Sequence, residues 1–124
     1  MSAHRLLLLD SIGYITEHAA GTVIVCGSHG GTSAAGYVLN LQRRPRAVLF
    51  NDAGFGKDRA GVAGLPMLQA AGIICAAYSH LSARIGEAAD ALEHGLLTEL
   101  NGAAAQAGLS IGMTVPQAVA ILTG

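Results

Sequence analysis

A small three-layer αβα domain, Rossmann-like or flavodoxin-like, with a mainly parallel sheet of about four strands is what the sequence predicts. Three apolar runs, TVIVC (22–26), RAVLFN (46–51) and GIICAAY (72–78), are near-continuous rather than alternating, as strands buried on both faces are. Segments of helical character separate them at the spacing of βαβ units. Each run also gives way to a polar, glycine-bearing stretch, which a parallel sheet collects along one edge.

Taken in order, RLLLLD (5–10) reads as an edge strand or a helical start, and SIGYITEHAAG (11–21) as a short helix capped by Ser11 and closed by Gly21, with SIGYI also compatible with a strand. After the strand at 22–26, TSAAGYVLNLQ (32–42) reads as a helix with Thr32 or Ser33 as N-cap. The strand at 46–51 is followed by RAGVAGLPMLQAAG (59–72), a helix ending in a C-cap glycine. Beyond the strand at 72–78, GEAADALEHGLLTELNGAAAQAG (86–108) is rich in Ala, Leu and Glu and reads as helix, broken near Gly95. The final helix, TVPQAVAILTG (114–124), opens with an N-cap threonine and a proline in its first turn.

The 124 residues make a single domain, 1–124, of which 52% are hydrophobic and 12% charged, with a formal net charge of −1. Ordinary globular chains carry about 25% charge, so this one has more apolar surface than a small core hides, and a homo-oligomer is expected. The near-neutral balance, with LQRRPR (41–46) as the one basic cluster and few aromatic residues, argues against nucleic acid as a partner. The uncharged stretch 60–78 is broken by Pro66, Gln69 and Gly72, which suits a buried helix and strand rather than a membrane span. MSAHRLLLLDS lacks the pattern of a secretory leader, so a cytoplasmic location is expected. Cys26 and Cys75 lie in apolar runs without ligand spacing and read as reduced core residues, a nucleophilic role for Cys26 staying open.

The three strand ends carry the chemistry. GSHGGTS (27–33) has more glycine than a strand-to-helix turn needs, so the Gly30 and Gly31 amides and the start of the helix at Thr32 suggest an anion cradle with Ser28 and His29 at its rim. The bland reading is a tight corner with a surface histidine. NDAGFGKDRAG (51–61) places Asn51 and Asp52 at a strand end, with Lys57 available to an anion and Asp58 placed as a possible helix N-cap. SHLSARIGE (79–87) adds Ser79, His80 and Arg84, the last either holding an anion or pairing with Glu87 at i,i+3. His4, His18 and His94 read as surface residues. Neither a Walker A loop nor a complete GxGxxG is present.

GSHG after an apolar strand resembles the short motif in the ATP-binding loop of universal stress proteins. The similarity covers those few residues, the downstream glycines do not match, and no role is carried over. A histidine-glycine turn beside an acidic turn is also similar in layout to caspase-like hydrolases, but Asn51 and Asp52 stand where a cysteine would be required.

The function expected is that of an enzyme, a hydrolase or lyase, acting on a small carboxylate- or phosphate-bearing metabolite. His29 and Asp52 would move the proton, while Lys57, Arg84 and the glycine amides hold the anion. The alternative is a non-catalytic ligand-binding or assembly subunit. No cofactor is predicted, although His29, Asp52 and His80 together would make a ligand set for a divalent metal.

Overall fold

In a computed structural model, which describes residues 4–124, the chain forms one five-stranded sheet flanked by helices. The strands are β1 (Leu6–Leu9), β2 (Val23–His29), β3 (Ala47–Asn51), β4 (Ile74–Tyr78) and β5 (Leu97–Leu100), arranged in the order β1-β2-β3-β4-β5. The first four run parallel, and β5 lies antiparallel to β4. The α/β class and the mainly parallel sheet are as the apolar runs predict.

Alternation along the central strands divides the core in two. Ile24, Cys26, Val48, Phe50, Cys75 and Ala77 face α1 (Thr32–Leu39) and α2 (Leu65–Ala70). Val23, Val25, Leu49, Ala76 and Tyr78 face the other side, covered by α3 (Ala88–His94), α4 (Gly102–Gln106) and α5 (Val115–Thr123). Two crossovers made in the same direction across a sheet put their helices on the same face, which is why α1 and α2 are neighbours. Cys26 and Cys75 are wholly buried, and burial pushes both thiols above their ordinary range. Among the described residues, no helix is long and apolar enough to cross a membrane.

The segment 86–108 differs from expectation. It is not a broken helix: α3 ends at His94, Gly95 turns to extended backbone, and residues 97–100 pair with β4. The turn needs glycine, since a Cβ at position 95 would lie 2.5 Å from Val115 Cγ2 and 2.7 Å from the Ala91 carbonyl. Leu97 is then buried among the residues of the α3–α5 face. Tertiary pairing overrides the helical propensity of Leu and Glu here, and the sheet gains a fifth strand.

Smaller differences have local causes. Of the two readings open for 5–10, the edge strand is the one that forms, with Leu6–Leu9 in register with Val23–Cys26. The stretch 11–21 holds two single 3₁₀ turns, Ile12–Tyr14 and Glu17–Ala19, because the Ser11 and Thr16 side chains each cap a separate turn. At α1 the N-cap is Gly31, not Thr32 or Ser33. Asp58 does not cap α2, whose N-cap is Gly64; it lies in a 3₁₀ segment, Lys57–Val62. The last helix forms as expected, with a full capping box between Thr114 and Gln117.

Candidate functional site

Asp52 follows directly on β3 and is 2% exposed. A carboxylate so placed must be surrounded by donors to stay ionised, and it is. Its Oδ1 accepts from the Gly54 amide at 2.7 Å and the His80 amide at 3.1 Å, and the His80 ring meets the same oxygen through Nδ1 at 3.1 Å. Its Oδ2 accepts from the Thr98 hydroxyl at 2.6 Å. Burial raises its pKa, but the Thr98 hydroxyl, the two amides and the His80 ring outweigh that, and the carboxyl is held below its usual range.

Each donor is placed by the fold. Asn51, fully buried, locks the start of the loop by accepting from the Ala53 amide and donating to the Ala83 carbonyl. His80 lies just past β4, and the Asp52 amide donates to Tyr78 across the two strand ends. Thr98 owes its position to a break in the β5 pairing, where Ala77 faces Glu99 and Tyr78 faces Leu97. The extra residue between them is Thr98, and such a bulge re-aims a side chain.

The loop from 53 to 59 is wound in an uncommon way. Ala53, Gly54, Phe55, Gly56, Asp58 and Arg59 all have left-handed φ, between 50° and 71°. The four that are not glycine store strain on the order of 1 kcal/mol each. Gly54 also makes room for the imidazole, because a Cβ there would stand 3.2 Å from His80 Cε1. Arg59 lies over the Phe55 ring, 4.9 Å from its centroid, and pairs with Glu99. Thus consecutive residues of β5, Thr98 and Glu99, hold the two ends of the loop.

Compared with models of known families, with curated proteins and with solved structures, the chain matches none.

Of the residues singled out in the sequence, Asp52 and His80 are bonded to each other, and Asn51 anchors the start of the loop that follows Asp52. His29 is exposed at the end of β2, in register with Asn51. Its ring lies against Gly31, where a Cβ would be 3.0 Å from Cδ2 and Nε2, and the imidazole bonded to Asp52 is that of His80. The Gly30 amide donates to the Asn51 carbonyl, and Gly64 donates to the Gly30 carbonyl, so the double glycine lets two backbones approach. Thr32 opens α1 and is exposed.

The Ser28 hydroxyl accepts from the Ile12 amide, and that of Ser79 from the Leu81 amide. Lys57 is exposed on the wound loop. Arg84 is 79% exposed and 3.9 Å from Glu87, the i,i+3 surface pair. Among the described residues, no three His, Cys, Asp or Glu side chains form a metal-ligating group; His80 Nδ1 is turned onto Asp52.

Thr98, Arg59 and Glu99 were not among the expected site residues. The first and last sit in the stretch that reads as helix, and a left-handed Arg59 has no local signal.

Proposed function

We propose that the protein is a small-molecule enzyme of the hydrolase or lyase type whose proton-moving group is His80, oriented by Asp52. The observation that supports this reading is a buried, ionised carboxylate held by four donors, one of which is a ring nitrogen of a half-exposed histidine. With Asp52 ionised, its best partner at Nδ1 is an N–H, and Nε2 is then left with its lone pair. In that state Nε2 takes a proton from water or from a substrate C–H or O–H. The imidazolium so formed is stabilised by Asp52 and returns the proton to the leaving group.

Asp52 is a positioning residue, and Thr98 positions Asp52. The wound loop fixes Gly54 beneath the imidazole, giving the ring one seat rather than several. His29, on the adjoining strand end, belongs to the rim of the same edge.

The test is a turnover screen of ester, amide and hydroxy-acid substrates bearing a carboxylate or phosphate, read by proton NMR. Turnover that falls by roughly a hundredfold or more in His80→Gln, the size of a general-base contribution, supports the reading. Turnover unchanged by His80→Gln refutes it, and saturable binding with no turnover in the wild type assigns the site to ligand binding alone.

A further inference from the structure

Between α2 and β5 lies a cleft of about 490 Å³, within the range of small-molecule sites. Its walls are apolar, formed by Val62, Ala63, Leu65, Pro66 and Leu100. Two polar side chains of its lining already make hydrogen bonds. Asn101 accepts from the Cys75 and Ala104 amides and donates to the Ile73 and Leu65 carbonyls, and the Gln69 side-chain carbonyl accepts from Ala103. The charged groups of the lining, Asp58, Arg59 and Glu99, stand at its mouth.

Arg59 is the only cation in that lining. Its guanidinium is laid over Phe55 and pairs with Glu99 through one of its terminal nitrogens, so its plane is set before any ligand arrives. Glu99 faces the cleft because the Thr98 bulge leaves it opposite Ala77, a residue of the α1–α2 face. The mouth thus holds a guanidinium already bonded to a carboxylate.

We infer that this cleft binds a small carboxylate with an apolar body, its carboxylate taking the place of Glu99 on Arg59 and its body lying against Val62, Leu65, Pro66 and Leu100. An incoming carboxylate offers the same planar pair of oxygens that Glu99 offers, so the exchange at Arg59 is close to balanced. An exposed ion pair contributes little, and burial of the apolar body decides the outcome. The net negative charge left by Asp58 and a displaced Glu99 disfavours doubly charged anions such as phosphate. This inference stands independently of the role assigned to His80.

The probes are acetate, hexanoate, phenylacetate, neutral phenylacetamide and inorganic phosphate, titrated into the full chain and followed by amide NMR. Hexanoate or phenylacetate should shift Ala63, Leu100 and Gly102 saturably, and phenylacetamide should bind roughly tenfold more weakly. Arg59→Gln should lose binding by about the same factor. Glu99→Gln should bind about two- to fivefold tighter, the range spanned by an exposed ion pair, and His80→Gln should bind as the wild type does. Spectra unchanged away from the cleft establish that the variants fold. The inference is overturned if no carboxylate gives a saturable shift, if the amide or phosphate binds equally well, or if Glu99→Gln weakens binding.

Discussion

His80 Nδ1 lies 3.1 Å from Asp52 Oδ1, with the imidazole 46% exposed and the carboxylate side chain 3% exposed. One partner is fixed inside the protein and the other reaches solvent. The aspartate is thereby a stationary acceptor for the histidine ring.

This pairing dictates a tautomer. When His80 is neutral, its proton should reside on Nδ1, facing Asp52, rather than on the Nε2 favoured by free imidazole. Long-range proton–nitrogen correlation spectra would show it. A dominant Nε2–H form would mean that Asp52 does not orient the ring.

Thr98→Val removes a hydroxyl at nearly constant shape and leaves Asp52 Oδ2 without its 2.6 Å donor. Destabilisation of about 1–3 kcal/mol is expected, the cost of an unsatisfied buried acceptor. Urea denaturation would measure it, and the same variant should raise the Asp52 pKa, because one of the donors holding it down is gone.

Stability should fall in acid. Asp52 is held below its ordinary pKa when folded, so its contribution is complete above the unfolded value of about 3.9 and is lost as pH falls through the folded value. Asp90 is shifted the same way, by the Arg84 amide and then His94, so wild type alone does not separate them. Asp52→Asn should cost roughly 1–3 kcal/mol at pH 7, with the gap narrowing below about pH 4. Denaturation midpoints taken across pH 2–7 check this, and a gap that stays constant would contradict it.

Gly54→Ala combines two penalties, a left-handed φ of 71° and a Cβ 3.2 Å from His80 Cε1. Gly21→Ala meets the first alone, with φ 68° and open space around it. Gly54→Ala should therefore be the more destabilising of the two, each costing at least about 1 kcal/mol, and only Gly54→Ala should disturb the His80 tautomer. Thermal unfolding and the nitrogen spectra read the two effects separately.

The convergence of three strand ends was legible because buried parallel strands are written as uninterrupted apolar runs, and topology does the rest. That placed Asn51, Asp52 and His80 on one edge. Which histidine faces Asp52 was not legible, since it depends on how 53–59 winds, and four of its left-handed residues are not glycine. Glycine is the residue that announces positive φ in a sequence; Ala53, Phe55, Asp58 and Arg59 do not. Thr98 was hidden for another reason: GLLTEL has helix-forming composition, and only the waiting edge of β4 makes it a strand.

Thr98 and Glu99 are supplied by the one strand that runs against the others, and they come late in the chain. Asp52 and His80 both leave the ribosome before them, so during synthesis the carboxylate waits without its hydroxyl donor until β5 closes on β4. Long-range pairing of this kind is slow compared with local structure, which makes the Asp52–His80 contact a reporter of completed folding. A chain truncated before residue 97 would retain both members of the pair and lack the strand that holds them in place.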